Sequence, residues 1–409
     1  MTTPRQRHVV VMVTTSYPRF AGDGVGSFME PIAKGIAARG HDVHLVAPWH
    51  PSLTRSAHED GVTFHFFKYA PTDSLNIFGY ATSLRADTDL KVAVWAVAPV
   101  AMLAGWRVAA RVARDTNATV MHGHWVIPGG VIAALGAGKR PLVVSLHGSD
   151  VFVAERHGWA RRAARRVFDR ASWVTAPSDD LRIRAEHIGA DPARSETVPY
   201  GVDVTRFAPS ASTRADERRA LGIADSAPLV FAAGRLVSKK GFEFLIDASR
   251  TLAAAFPSMR VVIAGDGDLR DALKERSAAL PQVMWLGRQP QDRIGRLAAA
   301  ADVVAVPSIR DEAGNVDGLP NFALEALATA TPVVGSTAGG LPQAIVDGVT
   351  GRLVPERDAA ALATAIGELL SQPDRASAMG AAARERVSRD FGWARVAERF
   401  EAAYDRAAQ

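Results

Sequence analysis

The feature that most constrains the fold is an alternation that runs through the whole chain. Short runs of apolar, often β-branched residues are separated by longer stretches rich in Ala, Arg and Glu. Such runs are typical of strands buried on both faces, and the intervening stretches have the length and composition of helices. The alternation therefore predicts an α/β protein with doubly wound parallel sheets. The predicted strands are 8–13, 42–47, 119–121, 142–146, 229–233, 260–264, 282–286, 303–306 and 332–335.

The alternation restarts after a segment punctuated by Pro and Gly, Val198-Pro-Tyr-Gly-Val-Asp203, which is typical of a linker. We predict two domains, at residues 1–203 and at residues 204–385, facing each other across a cleft. Ligands of such sheets bind outside the carboxyl ends of the strands, so the two domains would share one site. Residues 386–409 contain an amphipathic helix, a candidate to pack back on the first domain.

Composition excludes several classes of protein. The chain has 409 residues, 48% of them hydrophobic, which is ample for two cores and excludes whole-chain disorder. It has no Cys, so disulfides, thiolate nucleophiles and zinc–thiolate sites are excluded. The apolar run at the N-terminus is too short for a signal-peptide core, and the uncharged stretch 92–106 is short for a membrane span. We expect a cytoplasmic protein.

The net positive charge of the chain comes entirely from its first half. Residues 1–205 hold 23 Lys and Arg against 18 Asp and Glu, whereas the remaining residues hold 25 of each. This asymmetry favours an anionic partner such as the inner face of a membrane, whereas no recognisable nucleic-acid-binding module is present. Residues 155–170 and 95–114 are basic amphipathic candidates for that contact. A helix that packs on its own sheet with a solvated arginine face explains residues 155–170 as well, and we favour that explanation.

The most informative motif is Asp317-Gly-Leu-Pro-Asn-Phe-Ala-Leu-Glu325. Gly318 permits a tight turn, Pro320 suits a helix start, and backbone N–H groups from Asn321 onward would be free to bind an anion. Two carboxylates flank this anion site, and carboxylates accept hydrogen bonds from sugar hydroxyls. The motif therefore fits a phosphate with a sugar on each side. The alternative is that Asp317 caps the helix and Glu325 is solvated.

Two further loops follow predicted strands. Gly234-Arg-Leu-Val-Ser-Lys-Lys-Gly241 offers Arg235 and Lys240 as phosphate ligands, although a basic loop in this position is more often just solvated. Gly22-Asp-Gly-Val-Gly-Ser27 lies before the first helix, and its bare backbone would let a phosphate approach. Its spacing matches neither a dinucleotide-binding loop nor a P-loop.

Histidines form two groups at predicted strand ends. His147 follows the strand 142–146 and would face the cleft, with Asp150 a candidate for the start of the next helix. His122 and His124 alternate on one strand and so share a face, as in a metal pair. No third ligand is evident nearby, and we therefore predict no metal site.

In this order, these motifs make the chain resemble the GT-B-fold glycosyltransferases of family 4, a retaining group. The match runs over nearly the whole length and includes Gly339-Gly340. Asp317 stands where the family usually has Glu, one methylene longer, and Pro320 where many relatives have Gly. The resemblance implies that residues 1–203 form an acceptor-side domain and residues 204–385 a nucleotide-sugar-binding domain. In the second of these, Arg235 and Lys240 would neutralise the diphosphate of a nucleotide-sugar donor.

The resemblance assigns the remaining site residues as well. Glu325 would hold the ribose, Asp317 would bind hexose hydroxyls, and Gly24 and Gly26 would let the donor phosphates approach. His147 would lie beside the transferring sugar. Arg288 would border the base. The full candidate set for catalysis and donor binding is Gly24, Gly26, His147, Arg235, Lys240, Arg288, Asp317, Gly318, Leu319, Asn321, Phe322 and Glu325.

The activity implied is transfer of a hexose from a UDP- or GDP-linked donor to a lipid-linked or saccharide acceptor, with retention of configuration. Fixed positive charges and backbone N–H groups would stabilise the leaving diphosphate without a metal or cofactor. Two alternatives stay open: a nucleotide-sugar epimerase of the same architecture, and a nucleotide-sugar-binding protein with a dead site. An epimerase converts the donor alone, whereas a transferase needs an acceptor.

Overall fold

The computed structural model of the chain describes residues 6–80, 84, 85, 89, 90 and 92–409. The chain divides into two compact units, Met1–Pro199 with Trp393–Gln409, and Tyr200–Gly392. The division after residue 199 falls inside the Pro- and Gly-containing segment, four residues before the predicted boundary after residue 203. Each unit is an α/β domain built on one large sheet.

The first unit is built on an eight-stranded sheet of order β10-β9-β8-β7-β1-β2-β4-β3. Its pairs are parallel except for β3 with β4, and β5 with β6 forms a separate antiparallel ribbon. The strands are β1 (Val9–Val13), β2 (Asp42–Pro48), β3 (His58–Glu59), β4 (Val62–Phe67), β5 (Leu84–Arg85), β6 (Asp89–Leu90), β7 (Val120–His124), β8 (Leu142–Ser145), β9 (Trp173–Ala176) and β10 (Ser195–Thr197). The helices are α1 (Met29–Ala38), α2 (Val92–Asp115), α3 (Val131–Ala137), α4 (Ser149–Arg156), α5 (Gly158–Arg170) and α6 (Asp179–Ile188).

The second unit has a six-stranded, fully parallel sheet of order β13-β12-β11-β14-β15-β16. Its strands are β11 (Leu229–Ala233), β12 (Arg260–Ala264), β13 (Val283–Gly287), β14 (Val303–Val306), β15 (Val333–Ser336) and β16 (Gly351–Val354). Its helices are α7 (Ala211–Ala220), α8 (Phe242–Leu252), α9 (Arg270–Arg276), α10 (Gln291–Ala300), α11 (Asn321–Ala328), α12 (Leu341–Ala344), α13 (Ala359–Ser371) and α14 (Pro373–Asp390). Both sheets reverse their strand order beside the first strand, so the predicted pair of doubly wound parallel domains is confirmed.

In the central strands of the second unit, alternate residues belong to two separate hydrophobic cores, one on each face of the sheet. In β11, Leu229 and Phe231 belong to the core on one face of the sheet, whereas Val230 and Ala232 belong to the core on the other. A strand that is buried on both faces has no polar position, which is why these strands are continuous apolar runs.

The final helix, α15 (Trp393–Ala408), belongs to the first unit, where it packs on α1 and on strands β7 to β9. Val396, Phe400 and Tyr404 are spaced four residues apart and are 1%, 3% and 0% exposed. The Tyr404 hydroxyl lies 2.8 Å from Nδ1 of the buried His122. The helix therefore contributes both apolar packing and a polar contact to the first core.

The apolar stretch at residues 92–106 is part of a longer helix than the sequence indicated. α2 continues to Asp115, and its Ala96–Asp115 part has the length and composition of a helix that crosses a membrane. In this structure the helix packs on α3 and on β2, and 28% of its most apolar 18-residue stretch is buried. The side chains of residues 92–95, including the predicted membrane-contact residue Trp95, lie outside the described part of the chain.

Acid should destabilise the first unit through His122 and His124. Burial lowers the pKa of His124 to about 3 and the pKa of His122 well below its ordinary value. Below pH ~6.5 the unfolded chain therefore binds protons that the folded chain does not, and the free energy of unfolding falls by about 1.4 kcal/mol per pH unit for each histidine. Burial raises the pKa of Asp150, which opposes this trend, whereas burial also lowers the pKa of His147, which adds to it.

Calorimetric unfolding between pH 8 and pH 5 should show this fall in the transition of the first unit. A transition that does not move over that range would contradict the assignment of two buried neutral histidines.

Candidate functional site

The predicted phosphate-binding motifs of the second unit meet where its strand order reverses. β11 ends at Ala233 and leads into Gly234 and Arg235, whereas β14 ends at Val306 and leads through a loop to Asp317 and α11. These two strands are neighbours in the sheet. A reversal point at the carboxyl ends of parallel strands is the position at which doubly wound sheets bind ligands.

Asp317 is paired with two lysines of the loop after β11. Its carboxylate lies 2.7 Å from Lys240 Nζ and 3.4 Å from Lys239 Nζ, and the side chain is 13% exposed. Burial alone would raise the pKa of Asp317, but the two ammonium groups outweigh it and lower this pKa to about 2. Asp317 makes no capping hydrogen bond to α11, so the alternative of a helix cap is wrong. Sequence reasoning missed Lys239, which is adjacent to Lys240 in the chain.

The loop that carries Asp317 is held by backbone packing against Gly339 and Gly340. A Cβ atom on Gly340 would overlap the carbonyl oxygen of Gly318, and one on Gly339 would overlap that of Asp317. These two glycines therefore let the loop after β15 support the Asp317 loop directly, which is more than the turn that the sequence suggested.

The start of α11 presents unpaired backbone donors. The N–H groups of Asn321 and Phe322 have no acceptor among the described residues, because Pro320 precedes them without a side-chain cap. Leu319 is buried, and the Phe322 ring packs edge-on against Phe231 at 5.6 Å, so these two residues can offer a ligand only their backbone. The helix start therefore has the unpaired N–H donors that the motif predicts, and donors of this kind are suited to an anion.

Glu325 lies one turn further along α11 and is 7% exposed, so the alternative of a solvated carboxylate is wrong. Gln291, at the start of α10, donates its amide N–H to Glu325 Oε1 at 2.7 Å. Burial raises the pKa of Glu325, and the Gln291 hydrogen bond only partly offsets this effect. A buried carboxylate with one donor can accept further hydrogen bonds, and a ligand with hydroxyl groups can supply them.

Arg235 and Arg288 both lie at carboxyl ends of strands. Arg235 follows β11 and Arg288 follows β13, and both side chains are exposed. Exposed guanidinium groups at the edge that carries Asp317 and Glu325 are placed to meet an anionic ligand from solvent.

In the first unit the corresponding reversal point lies between β1 and β7. The glycine-containing loop follows β1, and a Cβ atom on Gly26 would approach the backbone of Ser16 to 3.1 Å. Gly24 is exposed with no atom within 4 Å of the Cβ position, so its backbone is open to a ligand.

His147 follows β8 and is held on several sides. Its ring centroid lies 4.8 Å from that of Phe28 and 4.4 Å from that of Trp125. Asp150, at the start of α4, accepts hydrogen bonds from the backbone N–H groups of His147 and Gly148 and, at 2.7 Å, from that of Val126. Asp150 therefore ties together the loops after β7 and β8.

The histidine pair on β7 is occupied by protein partners. His122 contacts the Tyr404 hydroxyl and the Ser145 hydroxyl, and His124 contacts His147. Among the described residues, one group of carboxylates has metal-compatible spacing: Glu30, Glu59 and Asp60. Two cations, Lys34 and Arg55, already pair with that group.

Two family models match the chain. The one described as Glycosyltransferase Family 4 matches residues 22–206, and the one described as Glycosyl transferases group 1 matches residues 213–386. The chain is 32% identical over 408 residues to a GDP-mannose-dependent alpha-(1-6)-phosphatidylinositol monomannoside mannosyltransferase of Mycolicibacterium smegmatis, covering 95% of this chain and 97% of that one. It is 29% identical over 405 residues to a glycogen synthase of Mycobacterium tuberculosis, covering 95% and 92%.

Solved structures show the same fold. Sucrose-phosphate synthase of Thermosynechococcus elongatus superposes with a TM-score of 0.76 at 19% identity and 98% coverage of both chains. The Anabaena protein HepE in complex with UDP gives 0.74 at 21% identity, with 96% of this chain and 98% of HepE covered. With both halves of the chain matched and a relative above 30% identity along its whole length, this protein belongs to family 4 of the GT-B-fold glycosyltransferases.

Proposed function

We propose that this protein transfers mannose from GDP-mannose to a lipid-linked saccharide acceptor with retention of the anomeric configuration. The observation that carries the proposal is the arrangement around α11 in the second unit. An anion-binding helix start lies between two carboxylates, Asp317 and Glu325, and two lysines stand beside Asp317. A nucleotide-sugar has the matching order of groups: a hexose, two phosphates and a ribose.

Each group of the donor has a partner of suitable chemistry. Lys239, Lys240 and Arg235 neutralise the diphosphate, and the N–H groups of Asn321 and Phe322 bind phosphate oxygens. Glu325 accepts hydrogen bonds from the ribose hydroxyls, and Asp317 accepts them from the hexose. Gly318 keeps the turn before α11 open to the sugar, and Arg288 borders the base.

Transfer in this scheme needs no protein nucleophile. The acceptor hydroxyl attacks the anomeric carbon from the side of the leaving diphosphate, while the bond between that carbon and the phosphate oxygen breaks. The acceptor proton passes to the departing diphosphate oxygen. Lysine and arginine side chains with backbone N–H groups stabilise the charge that develops on the diphosphate.

The full-length relative supports the choice of donor and acceptor. Its name specifies GDP-mannose and a phosphatidylinositol mannoside, and its match covers both domains of this chain. Structural neighbours that bind UDP share only the fold with this chain, at 21% identity. We therefore propose a guanine nucleotide and an acceptor of the phosphoinositol mannoside class.

Metal independence is part of the proposal. Three cationic side chains stand beside the expected phosphate position, and they do the work that a divalent cation does in other transferases. Asp266 and Asp268 form an Asp-x-Asp sequence after β12, but Asp266 bonds within its own loop, to the Gly267 N–H at 2.9 Å and to Arg270 at 3.5 Å.

We further propose that the first unit docks on an anionic membrane through α2, α3 and α5, at the cytoplasmic face. Val100, Leu103 and Trp106 of α2 and Leu135 of α3 are 52%, 41%, 36% and 61% exposed, and Trp106 Nε1 donates to the Leu135 carbonyl at 3.0 Å. The helices α2 and α5 also carry exposed basic residues. They are Arg107, Arg111 and Arg114 of α2 and Arg161, Arg162, Arg165 and Arg166 of α5, all exposed.

We call this surface the apolar–basic face, and α3 joins its two parts because it packs against both α2 and α5. Apolar side chains that insert at the headgroup level and cations that bind anionic lipid are the two components of interfacial binding. α5 buries Ala160, Ala164, Val167 and Phe168 beneath its exposed arginines, so it packs on its own domain as expected.

The two carboxylates should have separable effects. Asp317→Asn should lower kcat about 10- to 100-fold by weakening contacts to the sugar, yet leave GDP affinity unchanged or higher, because Lys239 and Lys240 lose an internal competitor. Glu325→Gln should weaken GDP itself about tenfold or more. Titration calorimetry with GDP and steady-state kinetics measure both effects. If Asp317→Asn weakens GDP as much as Glu325→Gln does, the sugar contact is wrongly assigned.

Removal of divalent cations should leave the activity in place. Dialysis against EDTA should change the transfer rate less than about twofold, since fixed side-chain charges supply the electrostatic stabilisation. Asp268→Asn is the matched variant and should be equally active with and without EDTA. Loss of activity in EDTA that Mg²⁺ or Mn²⁺ restores would contradict metal independence and direct attention to Asp266 and Asp268.

Binding to vesicles should depend on the apolar–basic face. The protein should sediment with vesicles containing phosphatidylinositol or phosphatidylglycerol at low salt, and sedimentation should decrease as salt screens the arginines. Leu103→Glu should reduce sedimentation strongly, whereas Val349→Glu, at a 56% exposed position of the second unit, should not. Equal sedimentation of the two variants would exclude this face as the docking surface.

A further inference from the structure

The Glu325 carboxylate is held by a side chain from a neighbouring helix. Gln291, the first residue of α10, donates its amide N–H to Glu325 Oε1 at 2.7 Å. Glu325 is buried and Gln291 is exposed, so the bond joins a buried acceptor to a donor at the surface. α10 and α11 pack on each other in one hydrophobic core, to which Leu297 and Leu324 belong. The contact therefore lies wholly within the second unit.

The backbone around Gln291 is fixed by the loop that precedes α10. The Pro290 carbonyl accepts a hydrogen bond from the Arg293 N–H at 3.0 Å. The Gln289 side chain donates to the Leu286 carbonyl at 2.7 Å and accepts from the Arg293 guanidinium at 2.9 Å. Gln291 therefore presents its amide from a helix start that is bonded on both sides.

Gln291 also opposes the electrostatic cost of burying Glu325. Burial raises the pKa of the Glu325 carboxyl, whereas the Gln291 hydrogen bond and the more distant Arg206 lower it. Arg206 is itself paired with Asp292 at 2.6 Å, and these two side chains are 42% and 67% exposed, so the counter-ion and the solvent weaken its effect. The amide of Gln291 is thus the nearest group that favours the ionised carboxylate.

Other charged groups around α11 are engaged with protein partners. Arg293 and Arg296 of α10 pair with Glu217. Arg384 of α14 donates to the Ala328 carbonyl at the end of α11. α12 and β15, which also pack on α11, carry no charged side chain. These surroundings leave the ionisation of Glu325 to burial, Gln291 and Arg206.

We propose that Gln291 is a positioning residue for donor binding: its amide holds the Glu325 carboxylate by Oε1 and leaves Oε2 to accept a hydrogen bond from the ribose of the donor. Among the described residues, no other donor bonds to this carboxylate. Without Gln291 the ligand itself would have to fix the carboxylate, at a cost in affinity. The same bond favours the charged form, which accepts hydrogen bonds at both oxygens. The inference deepens the proposed function and rests on the contact of Glu325 with the ribose.

The test changes the side chain of Gln291 and measures the affinity for GDP-mannose without acceptor by titration calorimetry, from about pH 5 to about pH 8. Both phosphates of this ligand are esterified, so it does not titrate in this range. The second unit has no histidine, because all 11 histidines of the chain lie at or before His187. Burial also raises the pKa of Glu243, but this carboxyl is present in every variant. A pH profile that differs among the variants therefore reports on Glu325.

Three substitutions should give an ordered result. Gln291→Met fills similar space without a donor and should weaken GDP-mannose about five- to tenfold near neutral pH. The pH below which the affinity falls should also rise, because Glu325 takes up its proton more easily. Gln291→Glu should raise this pH further, since two carboxylates in contact share a proton. Gln291→Lys should lower it, because an ammonium group favours the ionised carboxylate.

A role in helix structure alone predicts a different order. A negative charge at a helix start is stabilising and a positive charge is destabilising, so Gln291→Glu should raise the thermal stability and Gln291→Lys should lower it. Gln372→Glu is the matched control, because Gln372 is exposed and immediately precedes another helix of the second unit, α14. This control should bind GDP-mannose as the wild type does at every pH.

The pH profile and the thermal stability decide the inference. If the profile is the same in the wild type and the three Gln291 variants, or if the affinities follow the thermal stabilities, the inference is wrong. If Glu325→Gln binds GDP-mannose as tightly as the wild type, the ribose contact in the proposed function is wrong. Carbon-13 spectra of the Glu325 carboxyl without ligand distinguish these two failures, because the order of its pKa among the variants depends on Gln291 and not on the donor.

Discussion

A parallel sheet has to be buried on both faces, and this requirement shapes both units of the protein. The central strands β1, β11 and β14 contain no polar side chain, and the two histidines of β7 are buried and hydrogen-bonded to other side chains. Most of the candidate site residues therefore lie in loops at the strand ends, where the reversal of strand order opens a gap. Gly24, His147, Arg235 and Asp317 all occupy loops that follow strands.

Charges at such a site need partners because they are partly removed from water. Asp317 is paired with two lysines, which lower its pKa to about 2. Its carboxylate therefore stays ionised throughout the pH range in which enzymes work. Among the described residues, Glu325 has the neutral amide of Gln291 as its hydrogen-bond partner, and burial raises its pKa although the more distant Arg206 lowers it. The two carboxylates of one motif thus differ in electrostatic environment, which is the physical basis for giving them different tasks.

Much of this arrangement was predictable from the sequence, because it depends on local patterns. The bounds of β11, β12 and β14 were predicted to the residue, since each is a short, mostly apolar run. β4, β9 and β16 were not predicted. β4 contains His65 between aromatic residues, β9 begins with a half-buried Trp173, and β16 contains Arg352, so none reads as a continuous apolar run.

The candidate site was predictable to a similar degree. The residues that sequence patterns did not identify are those that no local motif links to their partners. The motifs marked Asp317, Glu325 and Lys240, but the partners Gln291 and His124 come from distant segments or had another interpretation. His124 read as one half of a metal pair because alternation on a strand places it on the same face as His122. The pairing that the structure shows runs instead across the sheet, from β7 to His147, two residues after β8, and it depends on the register of the two strands.

The pairing of Asp317 with Lys239 and Lys240 also bears on how the donor binds. The lysines that should neutralise a diphosphate already have an anionic partner at 2.7 and 3.4 Å. In the proposed binding mode, the diphosphate of the donor offers these ammonium groups more negative charge than a carboxylate does, and the hexose attached to it brings hydroxyl groups that can donate to Asp317. The same carboxylate would thus hold the lysines in place before the donor arrives and become available to the hexose once the phosphates have replaced it. In the same binding mode, a nucleoside diphosphate that lacks the hexose would release Asp317 from the lysines but supply no new hydrogen-bond donor to it. Part of the binding energy of the complete donor would therefore depend on the hexose, although the hexose, unlike the diphosphate, carries no charge.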